Sequence, residues 1–125
     1  MWQDEHGWVS HEGMQYIAKL LGIPVHEVYG IVTFYTMYNT KPVGRHKLEV
    51  CTNVSCMLRN SEKIVKQIQD KLNIKMGDTT PDNRFTLVEA ECLGSCGTAP
   101  VMQVGDEYYE NLDEAKVDRI LEELK

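Results

Sequence analysis

The chain has 125 residues, of which 42% are hydrophobic and 26% charged, and a formal net charge of −6. That size fits one compact domain with an appendage, and the acidic balance argues against non-specific nucleic-acid binding, which rests on Lys and Arg neutralising phosphates. No apolar run approaches the roughly 18 residues of a membrane-spanning helix, and the opening MWQDEHGWVS lacks the basic-then-apolar order of a secretory signal.

The first part of the chain has a helical pattern. The Ser10 hydroxyl can accept an otherwise unpaired backbone N–H of a first turn. Met14, Ile17, Ala18 and Leu21 then recur at helical spacing, and Gly22 supplies the stop. Pro24 suits the first turn of a second helix, whose apolar face reads Val25, Val28, Tyr29 and Val32. An aromatic and methionine run follows in Phe34, Tyr35, Met37 and Tyr38. A segment of roughly 40 residues is too small to bury its own apolar stripe, so it is expected to pack on the rest of the chain or on another protein. Core packing is the plainer expectation for Phe34 to Tyr38. An interface is the alternative, because Tyr and Met are favoured there.

The pattern changes at Lys41-Pro42-Val43-Gly44-Arg45, so residues 1–45 read as an N-terminal helical segment for partner docking and 46–125 as the main domain. The basic group Lys41, Arg45, His46 and Lys47 reads as a solvated linker ahead of a docking site. His46 to Thr52 predicts a strand. Asn60 or Ser61 is placed to cap a helix that buries Ile64, Val65, Ile68 and Leu72 and turns Lys63, Lys66, Gln67 and Asp70 to water. Met76 to Asn83 is rich in turn residues. Arg84 to Glu91 predicts a second strand. Val101 to Val104 and Glu107 to Tyr109 predict a hairpin around Gly105-Asp106. Asn111 or Asp113 caps a last helix with Val117, Ile120, Leu121 and Leu124 inward. The order β-α-β-β-β-α describes an α/β layer of thioredoxin-like type.

Four cysteines carry the chemistry: Cys51 and Cys56 in a C-x4-C spacing, Cys92 and Cys96 in a C-x3-C spacing. Each pair follows a predicted strand. If the two strands are parallel neighbours, the loops Thr52 to Met57 and Leu93 to Thr98 face each other and bring four sulfurs to one centre. Gly94 and Gly97 allow close backbone approach and can aim N–H groups at sulfur. Val54, Met57, Leu58 and Leu93 could form an apolar rim. Spacing and loop composition favour a [2Fe–2S] cluster. A structural zinc is second, because zinc knuckles commonly use tighter spacing. A dithiol catalyst would need C-x-x-C, which is absent. Disulfides are not the first expectation in a chain without signs of secretion. His6, His11, His26 and His46 read as surface side chains, not as the second ligand pair of a Rieske site. Ala99-Pro100 suits a tight turn beside the second loop. No G-x-G-x-x-G fingerprint and no nucleophile–base pair is evident, so hydride chemistry needs a partner.

Four segments then carry a resemblance: G-W-V-S at Gly7 to Ser10, G-I-P at Gly22 to Pro24, V-Y-G-I-V-T-F-Y at Val28 to Tyr35, and E-C-L-G-S-C-G-T-A-P at Glu91 to Pro100. Over nearly its whole length the chain resembles the thioredoxin-like [2Fe–2S] ferredoxin component of respiratory complex I, the E-type subunit of NADH:quinone oxidoreductase. Similar subunits occur in NAD-linked bifurcating hydrogenases and formate dehydrogenases. The resemblance implies Cys51, Cys56, Cys92 and Cys96 as cluster ligands. It also implies docking on a larger F-type flavoprotein subunit that binds NADH, FMN and a [4Fe–4S] cluster, with single-electron exchange between the small cluster and FMN. It further implies a peripheral place on the cytoplasmic side of a membrane, or the matrix side in a mitochondrion. Members usually carry another helical segment ahead of the G-W motif, which bears on how firmly the helical arm docks. The rival from another class is a zinc-stapled adapter without redox activity.

Overall fold

The computed structural model describes residues 2–124. The chain divides into two compact units between Val43 and Gly44.

The first unit holds helices α1 (Trp2–His6), α2 (His11–Leu21) and α3 (Val25–Phe34). Ser10 starts α2 as read from sequence: its hydroxyl accepts from the Gly13 N–H at 3.1 Å. Gly22 ends it at φ 68°, a left-handed conformation that costs glycine little, and returns its N–H to the Ala18 carbonyl. Pro24 caps α3 from just outside, one step earlier than expected. Val9, Met14, Ala18, Val28 and Val32 form a small core, with Trp2, Ile17, Ile23 and Val25 packed on it. The unit therefore buries more of its own apolar surface than a segment this short was expected to. The α1 helix had no clear sequence signal. Its Trp2 ring lies so close over α2 that a Cβ on Gly13 would come within 2.5 Å of it. Gln3 ties the same helix to the run after α3, donating to the Met37 carbonyl and accepting from the Asn39 N–H.

Three expectations fail in this unit. Phe34, Tyr35, Met37 and Tyr38 are not core residues, since all are exposed, Phe34 by 77%. Leu21 and Tyr29 also lie outside the core. Helical spacing marks a face but not its width, and a core of five side chains fills before the stripe ends.

The second unit contains β1 (His46–Cys51), α4 (Val54–Leu58), α5 (Ser61–Leu72), β2 (Phe85–Ala90), a 3-10 turn (Cys96–Thr98), β3 (Met102–Val104), β4 (Glu107–Tyr109) and α6 (Glu114–Glu123). The sheet order is β2-β1-β3-β4. β1 and β2 are parallel, joined across α5, whereas β1–β3 and β3–β4 are antiparallel. Leu48 and Val50 share one face of β1 by the two-residue alternation of a strand. They meet Leu87, Met102 and Val104 of neighbouring strands, Ile64 and Ile68 of α5, and Val117, Ile120 and Leu121 of α6 in one core. Gln67 of α5 joins the helices, donating to the Glu114 carbonyl at 2.8 Å and to Asp118 Oδ1 at 2.7 Å. It therefore does not simply face water. Arg84 donates to the Leu124 and Leu121 carbonyls at 2.7 and 2.9 Å, supplying partners for the open end of α6. Among the described residues no helix is long and apolar enough to cross a membrane.

The start of α5 also differs from expectation. Asn60 makes no side-chain cap but turns the chain at φ 66°. The Ser61 side chain is fully buried rather than capping. Asn53 is the side chain that caps, at the start of the short helix α4, where a loop had been expected. Of the four histidines, His6, His11 and His26 are exposed, while His46 is half-buried beside the Phe85 ring, 5.8 Å between centroids. Lys47 of the basic group pairs with Glu49 at 2.9 Å.

Candidate metal centre

The parallel pairing of β1 with β2 organises this site. Cys51, the last residue of β1, stands opposite Ala90, the last residue of β2. Both strands therefore run out at the same sheet edge, and Cys92 follows just beyond. The Cys51 N–H donates to the Val101 carbonyl at 3.1 Å, and its sulfur lies 3.7 Å from the Glu91 carbonyl oxygen. This thiol thus sits between the exit of β2 and the approach to β3.

Cys56 is carried back toward Cys51 by α4. That helix begins because Asn53 Oδ1 accepts the Val54 N–H at 2.7 Å. Cys51 and Cys56 are 3% and 2% exposed and pack together with Ala99, with Leu93 against them. The Cys56 thiol is pushed up to about 11, chiefly by burial and then by its hydrogen bond with Cys51; a backbone hydrogen bond at Val101 opposes this, and charge on Cys51 or Cys96 adds to it. Left to itself, such a thiol keeps its proton. A bound cation reverses that preference, because a coordinating thiol gives up its proton.

Cys92 and Cys96 are exposed. Gly94, at φ 71°, donates its N–H to the Cys92 sulfur at 3.4 Å. Cys96 opens the 3-10 turn, closed by the Thr98 N–H on the Ser95 carbonyl at 3.1 Å. The Ser95 hydroxyl also meets Thr98 Oγ1 at 2.7 Å and donates to Glu110 Oε1. The Ala99-Pro100 bond that follows is cis.

The structure thus sets Cys51 against Cys56, with Cys92 and Cys96 on the loop that follows β2. Among the described residues, no three of His, Cys, Asp and Glu gather tightly enough to hold one metal ion. A binuclear cluster differs from zinc in its demand: each iron takes two thiolates, so the sulfurs are needed as two pairs rather than as four around one ion. Two two-cysteine loops on one sheet edge, with a backbone N–H aimed at sulfur, are a donor set of that kind. The expected apolar rim is uneven. Leu93 is half-buried against the inner pair, whereas Val54, Met57 and Leu58 project into solvent. The sequence reading missed α4, although Asn53 before Val54-Ser55-Cys56-Met57-Leu58 carries the signal of a capped helix. It also missed Glu110, for which no local pattern exists.

Comparison with known proteins agrees with this geometry. The sequence pattern of thioredoxin-like [2Fe-2S] ferredoxins matches residues 1–125. The chain is 47% identical over 123 residues to an E-type subunit (number 2) of the NADH-quinone oxidoreductase of Rhizobium meliloti (strain 1021), spanning 98% of this chain and 73% of that protein. It is 45% identical over 117 residues to the E-type subunit of the NADH-quinone oxidoreductase of Rickettsia prowazekii (strain Madrid E), spanning 94% and 66%. Among solved structures, an NAD+-reducing [NiFe]-hydrogenase in the air-oxidized state matches with a TM-score of 0.80 at 18% identity, over 90% of this chain and 20% of that one. A thioredoxin-like [2Fe-2S] ferredoxin from Aquifex aeolicus matches with a TM-score of 0.53 at 20% identity, over 65% of this chain and 80% of that one. At such identities the structural likeness is one of fold. The sequence matches carry the conclusion: the chain belongs to the thioredoxin-like [2Fe-2S] ferredoxin family.

Proposed function

We propose that Cys51, Cys56, Cys92 and Cys96 hold a [2Fe–2S] cluster, and that the chain is the electron-transfer subunit of an NADH dehydrogenase module in an NADH:quinone oxidoreductase. The observation that carries this reading is the parallel β1–β2 pair, which ends both strands at one edge and so puts two cysteine pairs on adjoining loops. When bound, the cluster supplies one-electron chemistry. The protein's part is to hold it and to tune it. Buried Cys51 and Cys56 form a dry inner wall, while exposed Cys92 and Cys96 form the outer one. The Gly94 N–H offsets negative charge on sulfur at the outer side.

The chain is not a complete catalyst, for it carries no dinucleotide fingerprint. Its electron partner is a larger flavoprotein subunit that binds NADH, FMN and a [4Fe–4S] cluster. The aromatic run Phe34 to Tyr38 in the first unit and the apolar residues Val54, Met57 and Leu58 beside the cysteines are exposed as docking surfaces are. Residues 1–45 serve that docking and 46–125 the cluster. The assembly sits peripherally on the cytoplasmic side of the membrane. The hydrogenase likeness is one of fold alone, so the sequence relatives favour the quinone-linked host.

The test is direct. Protein purified without oxygen should be red-brown, contain iron and acid-labile sulfide in equal amounts, bleach with dithionite, and give the low-temperature EPR spectrum of a reduced binuclear cluster. A colourless protein with one zinc and no sulfide would sink the reading. Affinity capture from native extract should recover a flavoprotein with quinone-linked membrane subunits. Recovery of hydrogenase subunits instead would overturn the choice of host.

A further inference from the structure

We infer that Glu110 is a positioning residue for the Cys96 ligand loop, acting through the hydroxyls of Ser95 and Thr98. The inference rests on Cys96 being a cluster ligand, as proposed above.

The need for such a strut follows from burial. Cys51 and Cys56 are held by their surroundings, at 3% and 2% exposure. Cys96 is exposed, and so is Gly97 after it, so packing does not fix the direction of the Cys96 sulfur. A 3-10 turn of three residues is weak by itself, since its hydrogen-bond geometry is poor. What holds the turn lies across the fold, in the link between β4 and α6. Glu110 Oε1 accepts from the Ser95 hydroxyl, which also meets Thr98 Oγ1 at 2.7 Å. Thr98 Oγ1 in turn lies 3.1 Å from the Ser95 carbonyl, so both hydroxyls of the turn join one network.

Glu110 is itself anchored. Lys116 Nζ of α6 donates to its backbone carbonyl at 2.5 Å. The next two N–H groups return to the same loop: Asn111 donates to the Thr98 carbonyl at 2.7 Å and Leu112 to the Pro100 carbonyl at 3.1 Å. Leu112 is buried in the main core. A connected path therefore runs from the core and α6, through Glu110, to the residue preceding Cys96. The carboxyl is kept below its usual range by its bonds to Ser95 and Thr98, with help from the Lys116 charge, so it is an ionised acceptor at neutral pH. Negative charge near an anionic cluster would oppose an added electron. Charge alone therefore gives no reason for Glu at this place, whereas its hydrogen bonds do.

The experiment uses the full chain, reconstituted with iron and sulfide under anaerobic conditions, as wild type, Glu110→Ala, Glu110→Gln, Ser95→Ala and the Ser95→Ala/Glu110→Ala double variant. Cluster loss to a chelator is timed by visible absorption, ligand geometry is read by visible circular dichroism and EPR, and iron-free stability is read separately by thermal melting. Both changes remove the charge-assisted Ser95–Glu110 hydrogen bond, so Glu110→Ala and Ser95→Ala should each lose the cluster about tenfold faster than wild type. Glutamine keeps an acceptor oxygen and should stay within about threefold of wild type, with its circular dichroism and EPR restored. The double variant should be no more than about threefold worse than the poorer single one, because either change removes the same contact. Wild-type retention in Glu110→Ala, no rescue by glutamine, or additive losses in the double variant would each overturn the inference while leaving the cluster assignment standing. A wild-type chain that takes up no cluster at all would overturn both.

Discussion

Replacing Cys56 by serine puts a hydroxyl at a position 2% exposed, among Cys51, Ala99 and Leu93. The thiol's hydrogen-bond partners there are Cys51 and the Val101 backbone; a serine hydroxyl, on a shorter bond, stands farther from both, and mutational data put the burial of a poorly partnered hydroxyl at about 1–3 kcal/mol. For a domain of about 60–100 residues each kcal/mol moves Tm by about 4–8 °C. The iron-free Cys56→Ser protein should therefore melt about 4–24 °C below the iron-free wild type. Cys92→Ser changes an exposed residue whose sulfur receives one N–H, from Gly94. Exposed substitutions usually stay within about 0.5 kcal/mol, so its iron-free Tm should fall by less than about 4 °C. Yet both variants remove one thiolate from the proposed ligand set, and both should lose or perturb the cluster. The assay is far-UV circular dichroism melting of reduced, chelator-treated protein, with iron and sulfide measured on separate reconstituted samples. Equal losses of Tm at the two positions, or a larger one at Cys92, would refute the division into a buried inner pair and an exposed outer pair.

Three further outcomes are expected. Gly44→Ala should destabilise the second unit by about 1–3 kcal/mol in a thermal melt, because a Cβ there would lie 2.9 Å from the Phe85 backbone and the Gly44 N–H is already committed to Thr86 Oγ1; an unchanged Tm would contradict that close approach. Asp118 is held below its ordinary carboxylate range by its hydrogen bonds with Lys71 and Gln67, so its contribution is complete above the unfolded value of 3.8 and disappears as pH falls through the lower folded value. Wild type should accordingly outlast Asp118→Asn at neutral pH and converge with it below about pH 4, and a gap that widens on acidification would show the sign to be wrong. Phe34→Ser and Leu58→Ser, at side chains 77% and 75% exposed, should leave Tm within the range of about 0.5 kcal/mol typical of surface changes. If these faces dock, the same variants should reduce co-purification of the flavoprotein, and a large loss of Tm would mean that they serve packing instead.

Much of the second unit was legible because its signals are local. The alternation in His46 to Cys51 and Phe85 to Ala90, the turn at Gly105, and the Asp113 cap on α6 each act within a few residues. In the first unit the Ser10 cap and the Gly22 stop are equally local. In the sequence the four cysteines stand out as two pairs, each at the end of a strand, since spacing along the chain is itself the signal.

Other features depend on partners distant in sequence. Whether Phe34 is core or surface depends on how much space Val9, Met14, Ala18, Val28 and Val32 leave, and a stripe of apolar residues does not state that width. That Cys51 and Cys56 are buried against Ala99 and Leu93 while Cys92 and Cys96 are exposed is set by packing between segments far apart in sequence. Glu110 reads in sequence as one acidic residue near a turn; only the packing of the β4–α6 link against the Cys96 loop makes it an acceptor for Ser95. Caps, periods and ligand spacings are encoded by neighbours along the chain and can be read there. Burial, and the pairing of groups far apart in sequence, exist only after the chain has closed on itself.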